Sequence, residues 1–272
     1  MDKPTSFIKG LKVYPDLKNK IAIVTGGYQG LGRAISLGLA AEGAQVAVAA
    51  RSFQKCNELA AQIDPIGGRA MGCQVDVTDV ASVTAMVDKV IDRWGQVDLL
   101  VNNAGSLGKR DWIVDYDPLE WDRIFALNLR GPFLCCQAVL KDMIARGQGK
   151  IVNVAAGVMD ERVDYGVAAY YAAKAGLINF TRQLAAETKR YGIFANAVDP
   201  GGLDTKMSDE VIATEQTDEF AGTQTNKDPS RRLRRPESVV PMIMFLLSKA
   251  SDMMTGRLLQ ASSQDDVQYL QL

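Results

Sequence analysis

The feature that most constrains this chain is a repeat of pattern: short apolar runs rich in β-formers, each followed by a longer segment. The runs are KIAIVT (20–25), QVAVAA (45–50), AMGCQV (70–75), VDLLV (97–101), KIVNV (150–154), IFANAV (193–198) and LLQA (258–261). They lack the polar alternation of half-exposed strands, as expected for strands buried on both faces of a parallel sheet. Segments of helical length, 31–41, 80–94, 121–145 and 168–190, lie between them. Parallel neighbours require crossovers, and helices on both faces supply them. The pattern therefore predicts an α/β fold, a doubly wound parallel sheet of about seven strands flanked by helices.

Two stretches stand outside the alternation. Residues 1–18 precede the first run and are expected to form a loosely held N-terminal arm, leaving 19–272 as a single domain. Residues 206–235 are polar and weakly periodic, too long for an ordinary connection. They predict a substrate flap at about 203–235. The cluster Arg231, Arg232, Arg234 and Arg235 invites an anion site, but it also reads as a solvated helix start before Pro236.

Composition removes several chemistries. The chain has no histidine, which excludes a Ser–His–Asp triad and His-ligated zinc; no metal site is expected. Lys plus Arg is 31 and Asp plus Glu is 32, a balance that gives no reason to expect a nucleic-acid or membrane partner. Cys56, Cys73, Cys135 and Cys136 have apolar neighbours and no C-x-x-C spacing, so reduced, buried thiols and a cytoplasmic setting are expected. No apolar run is long enough for a membrane span, and the N-terminus lacks a signal-like apolar core.

After the first run comes TGGYQGLG, with Thr25, Gly26, Gly30 and Gly32 spaced as TGxxxGxG. A glycine leaves the strand in a tight turn, and later ones let a pyrophosphate reach backbone N–H groups at a helix N-terminus. The end of the second run contacts the adenosine ribose in such folds, and a carboxylate there would repel a 2′-phosphate. Here it reads Ala49, Ala50, Arg51, Ser52. Arg51 and Ser52 are donors suited to a phosphate, so NADP(H) is favoured over NAD(H).

From 20 to 260 the sequence resembles the short-chain dehydrogenase/reductase family. The resemblance rests on TGxxxGxG, on Asp76 after the third run, and on NNAG at 102–105. It continues with Asn128 in a long helix, YxxxK from Tyr170 to Lys174, and PGxxxT from Pro200 to Thr205. It implies a Rossmann-like domain, a nicotinamide dinucleotide, a small-molecule substrate and a homo-oligomer, tetramer or dimer, built on the two long helices. By resemblance, Asp76 contacts adenine, and Asn102 and Ala104 line the cofactor and steady the sheet. Thr205 and the backbone near Gly201 hold the carboxamide. Tyr170 is the general acid or base, Lys174 binds the ribose and tunes Tyr170, and Asn128 holds a water leading to solvent. The expected cofactor-lining set is Thr25, Gly26, Gly30, Leu31, Gly32, Arg51, Ser52, Asp76, Val77, Asn103, Ala104, Gly105, Tyr170, Lys174, Pro200, Gly201 and Thr205.

The spacing of Tyr170 and Lys174 has a chemical reason. Residues i and i+4 share one helix face, so phenol and ammonium serve the same volume. A free tyrosine titrates near ~10, and working close to neutrality needs a drop of roughly 3 units, about 4 kcal/mol. A neighbouring cation supplies part of that by favouring phenolate. Tyr171 also lies near Lys174, at i+3, but the family register selects Tyr170.

One part is missing. The family carries a serine shortly after the fifth strand, and in NVAAG that position falls on Ala156, beside Ala155. No serine lies between Ser106 and Ser208, so no shift of register restores it. Losing one oxyanion donor commonly costs about 10²–10³ in rate. Three explanations stay open. The serine was replaced to trap a bound substrate; or the chemistry runs on Tyr170 alone or with a donor from Asp160, Glu161 or the substrate; or cofactor binds without turnover. The expected activity is NADP(H)-dependent hydride transfer to or from a carbonyl or secondary alcohol. Reduction of C=N or C=C and an inactive regulatory role are the alternatives. The substrate pocket is expected from 106–116, 157–166 and the flap, with Trp112, Met159, Tyr165 and Met207 as candidate lining. The tail, 262–272, is expected to reach a neighbouring subunit.

Overall fold

The computed structural model describes residues 14–66, 69–156, 165–205 and 233–261. Strands β1 (Ile21–Thr25), β2 (Gln45–Ala50), β3 (Arg69–Gln74), β4 (Leu99–Asn102), β5 (Gly149–Val154), β6 (Ile193–Asp199) and β7 (Leu258–Gln260) form one sheet. Their order is β3-β2-β1-β4-β5-β6-β7, and every pairing is parallel. Helices α1 (Gly30–Ala41), α2 (Phe53–Ile63), α3 (Val80–Trp94), α4 (Pro118–Phe125), α5 (Gly131–Arg146), α6 (Ala168–Thr188) and α7 (Val240–Leu247) flank it. This is a doubly wound, Rossmann-like sheet.

Alternate strand residues feed two cores, which is why the runs carry no polar alternation. Ala22, Val24, Val46 and Val48 pack with residues of α1, α2 and α7, while Ile21, Ile23, Ala47 and Ala49 pack with α3, α5 and α6. The strand order reverses between β1 and β4, opening a crevice at their carboxyl ends. At the opposite edge Asp98, 3% exposed, accepts from Ile21 N at 3.0 Å, Gln96 Nε2 at 2.8 Å and Arg146 Nη1 at 3.1 Å. Arg146 in turn binds Asp142 at 2.8 Å. Buried charge is tolerated there because each carboxylate is both paired and hydrogen-bonded.

Several local expectations are corrected. The helix expected over 121–145 is broken into α4, a π turn (Ala126–Arg130) and α5. Pro132 explains the break: it stands where the carbonyl of Asn128 would find its helical donor, and proline has no N–H. The Gly131 N–H instead reaches back five residues to Ala126 O. The helix expected over 168–190 ends at Thr188 in a 3-10 turn, Lys189–Tyr191, closed by Gly192 at φ 70°. Helices α2 and α7 are additions to the segments expected from the sequence; α7 escapes a periodicity test because VPMIMFLL is apolar all round. Residues 14–18 are packed, not loose: Leu17 is buried and Asp16 Oδ2 accepts from Lys249 N at 2.7 Å. Residues 1–13, most of the expected flap (206–232, with Met207, Arg231 and Arg232), Met159, Asp160 and Glu161, and the tail 262–272 lie outside the described residues. The two ends of the flap segment meet. Asp204 N donates to Arg234 O at 2.8 Å, and Arg234 N to Gly202 O at 3.1 Å.

Candidate active site

At the crevice, Thr25 ties the ends of β1 and β4 together. Its Oγ1 accepts from Asn103 N at 3.0 Å and Ala104 N at 3.1 Å, while Asn103 Nδ2 donates to Thr25 O at 3.0 Å and Gly26 O at 3.2 Å. Gly26, at φ +63°, has no room for a side chain, since a Cβ would stand 3.0 Å from Ala104 Cα. Gly32 is tighter still: a Cβ there would strike Gly26 O and come within 2.6 Å of Asn103 Nδ2. Gly30 takes φ +50° and faces Thr205, whose Cγ2 lies 3.4 Å from where a Cβ would be. Leu31 is buried beneath. The N-terminus of α1 has no side-chain cap, because Gln29 makes none. Glycine-cleared backbone ending in an uncapped helix of 12 residues fits a dinucleotide pyrophosphate in room, donors and sign of charge.

Toward β2 and β3 lies a second group. Arg51 is exposed at the end of β2, and its charge reaches Asp76. Asp76 Oδ1 accepts from Thr78 Oγ1 at 2.7 Å and Thr78 N at 2.9 Å, and these bonds hold its carboxyl below the usual carboxylate range. Ser52 precedes α2 without capping it, which leaves its hydroxyl uncommitted to that helix. Val77 is buried against Gly131.

Toward β5 and β6 lies the third. Tyr170 and Lys174 sit on the first turns of α6, both buried, with the Lys174 Nζ 5.6 Å from the Tyr170 ring centre. The ammonium donates to Val154 O at 2.7 Å. Burial lowers the Lys174 pKa to about 8, opposed by the Asp199 carboxylate. Asn128, fully buried in the π turn, donates Nδ2 to Ser106 O at 2.9 Å and Ile124 O at 3.0 Å and accepts from Ser106 N at 3.3 Å. Its side chain is thus spent on the 106 loop and on Ile124 O, and Pro132, which has no N–H, denies its main-chain carbonyl the usual i+4 donor. A Cβ on Gly105 would stand 2.7 Å from Asn128 Oδ1 and 3.5 Å from Lys174 Nζ, so both groups border one small space.

Ala156 packs against the apolar cluster that contains Tyr170, beside Ile124 and Val167. Its methyl joins that apolar cluster and has no hydroxyl to offer. Trp112 and Tyr165, both partly exposed, approach with ring centres 5.8 Å apart, and Asp111 N donates to Gly166 O at 3.0 Å. Two of the segments expected around a substrate are thereby joined. Pro200 and Gly201 follow β6. Gly201 N donates to Asp199 Oδ1 at 3.0 Å, and the Arg234 guanidinium, bonded to Ala261 O, lies where a Gly201 Cβ would point.

The expected residues thus form three groups along one edge, with the Arg51–Asp76 group separated from the Tyr170–Lys174 group by β1 and β4. Asn102, expected to line the cofactor and steady the sheet, does the second: its Nδ2 donates to Asn153 Oδ1 on the neighbouring strand at 2.8 Å and to Pro132 O of α5 at 3.4 Å. Asn153 continues to Thr181 Oγ1 at 2.9 Å, a buried polar relay with no signature in the sequence. Asp199 lies outside the expected set too, although an acid closing an apolar strand run just before PG is a visible signal. All four cysteines are free and buried, with burial pushing Cys135 up to about 12 and Cys136 also upward. Among the described residues no helix is long and apolar enough to cross a membrane, and no cluster of potential metal ligands occurs.

The chain belongs to the short-chain dehydrogenase family, whose model matches residues 20–216. It is 37% identical to a 3-oxoacyl-[acyl-carrier-protein] reductase of Synechocystis, covering 89% of this chain and 94% of that one. It is 36% identical to 2-(S)-hydroxypropyl-CoM dehydrogenase 3 of Xanthobacter autotrophicus, over 88% and 94% of the two chains. Among solved structures, levodione reductase superposes with a TM-score of 0.84 at 31% identity, over 93% and 99% of the chains. The protein is therefore an enzyme of the short-chain dehydrogenase/reductase class.

Proposed function

We propose that this protein is an NADP(H)-dependent oxidoreductase moving hydride between the nicotinamide and a carbonyl or secondary alcohol of a small molecule. The observation that carries the reading is the buried Lys174 ammonium beside Tyr170 at the end of a glycine-lined crevice. A dinucleotide held there supplies the hydride donor or acceptor. Thr25, Gly26, Gly30, Leu31, Gly32, Asn103, Ala104 and Gly105 form the cradle for its middle, and Asp76 and Val77 receive the adenine. Pro200, Gly201 and Thr205 receive the carboxamide. Arg51 and Ser52 bind a 2′-phosphate, with no carboxylate at the end of β2 to repel it. Tyr170 gives its phenolic proton to the substrate oxygen in reduction and takes it back in oxidation. Lys174 favours the phenolate by its charge, and protons reach it through water held at the Asn128 carbonyl.

The relatives named above are reductases and dehydrogenases of carbonyls and alcohols, which favours that substrate class over C=N or C=C bonds. Ala156 is the observation that supports a second reading, coenzyme binding with little turnover. One assay separates them: NADPH oxidation with ketones, imines and enones, by this protein and by Ala156→Ser. A gain of about 10²–10³ with ketones in the serine variant supports carbonyl chemistry lacking one oxyanion donor. Equal activity of both on imines or enones refutes the carbonyl assignment. Tight NADPH binding without turnover in either form leaves the binding reading. The homo-oligomeric state, dimer or tetramer, and a single domain with residues 203–235 over the substrate side belong to the same proposal; light scattering with and without NADPH tests the former.

A further inference from the structure

Strand β6 ends in an acid. Asp199 is 1% exposed and stands immediately before the Pro200–Gly201 turn. Strand alternation places it on the same face as Ile193, Ala195 and Ala197. Ala197 packs with Ala155 and with Ile178, one helical turn beyond Lys174 on α6. The Asp199 side chain is thereby directed into the space between β6 and α6. There Lys174 Nζ is held on Val154 O at 2.7 Å, and Val154 is the register partner of Val198, the residue before Asp199. The two charges consequently act on each other: the Asp199 carboxylate works against the burial that strips Lys174 of its proton. Its Oδ1 also accepts from Gly201 N at 3.0 Å. An ion taken out of water is costly unless a counter-charge and hydrogen bonds accompany it, and Asp199 supplies a counter-charge to Lys174.

We propose that Asp199 is a positioning residue of the reaction: its carboxylate is the counter-charge of the Lys174 ammonium, and its bond to Gly201 N–H ties the Pro200–Thr205 turn to that same point. The inference rests on reading Tyr170 and Lys174 as the proton-handling pair. It makes the seating of the nicotinamide end and the charge beside the phenol depend on one side chain. The charged groups beside it include Lys174 on α6 and the Arg234 guanidinium, which lies against Gly201 and binds Ala261, whose N–H donates to Asp199 O at 2.9 Å; Arg234 is common to wild type and variants, so their difference reads Lys174.

Asp199→Asn keeps an acceptor for Gly201 N–H and removes the charge, whereas Asp199→Ala removes both. The unfolding free energy of the coenzyme-free protein, followed by urea titration from about pH 6 to pH 10, reads the charge of Lys174 directly. Lys174 titrates below its unfolded value, so wild-type stability rises with pH above about 8 as the ammonium is lost. In Asp199→Asn that rise begins at least about one pH unit lower. The shift disappears when the same change is made in Lys174→Met. The basic limb of the pH–kcat profile moves in the same direction, with little change in KM for NADPH at about pH 6, where Lys174 is charged in both proteins, while Asp199→Ala raises that KM even there. Wild-type titration behaviour in Asp199→Asn, with a loss only in Asp199→Ala, would overturn the proposal and leave Asp199 a turn cap. Should Asp199→Asn not fold, Lys174→Met alone reports from the other side. Without the ammonium, the buried Asp199 carboxyl titrates higher, and that variant loses stability relative to wild type as pH rises from about 5 to 8. A difference that stays flat across that range refutes the pairing. These titrations are blind to turnover, so even an inactive protein reports on Asp199, while the ketone assay judges the activity separately.

Discussion

Replacing Gly105 by alanine tests the geometry around the lysine most sharply. Gly105 needs no left-handed backbone, so any effect comes from the methyl itself. The new carbon would stand 2.7 Å from Asn128 Oδ1, well inside contact distance, and Asn128 is pinned by hydrogen bonds to Ser106 and Ile124 and gives way poorly. Overpacking of this kind costs about 1–3 kcal/mol. Lost freedom of the unfolded chain returns about 0.4–1 kcal/mol. The net expectation is a loss of about 1–2 kcal/mol in the coenzyme-free protein, read as a lowered urea midpoint at unchanged slope. The same methyl, 3.5 Å from Lys174 Nζ, crowds the side from which a ribose hydroxyl would reach the ammonium. Removing one hydrogen bond to a charged group is worth about 1.5–3 kcal/mol, so the NADPH Kd measured by fluorescence titration rises by about 10- to 100-fold. A variant with wild-type midpoint and wild-type Kd would refute the reasoning, because Asn128 and Lys174 would then not border a shared space at Gly105.

Further expectations concern the two ends of the crevice and the sheet's far edge. Arg51→Asp should reverse the coenzyme preference, lowering NADPH affinity and raising NADH affinity; unchanged Kd ratios would remove the basis for NADP(H). Coenzyme affinity should hold steady below about pH 8 and weaken above it as the Lys174 ammonium is lost, and Lys174→Met should show no such inflection. Asp98→Ala, which strands the Ile21 N–H and takes one of two carboxylates from Arg146 while Asp142 stays, should cost about 1–3 kcal/mol by chemical denaturation with NADPH affinity intact once folded. A cost below about 1 kcal/mol would mean the cluster is no more than a surface ion pair.

The strands were legible because each carries apolar residues to both faces; β2 is found at 45–50 as read. The chemistry-bearing motifs were legible because glycine positions and an i, i+4 pair are local requirements of chain geometry. What stayed hidden needed partners remote in sequence. The division of labour between Asn102, which holds the sheet, and Asn103, which clamps the glycine turn, depends on Asn153 and Gly26. The interruption at Asn128 could have been read from Pro132, since a proline that deep in a helical segment leaves a carbonyl without a donor.

Sequence by itself determined the class of fold, the glycine-cleared turn, the Tyr170–Lys174 pair and the alanine at position 156. Only the tertiary structure decided that the Asp199 charge acts on Lys174, that Arg234 packs on Gly201, and that Asn128 spends its amide on the 106 loop. Periodicity and motif spacing express constraints within a few residues along the chain. The electrostatics of a buried lysine depend on which distant strand end comes to lie beside it.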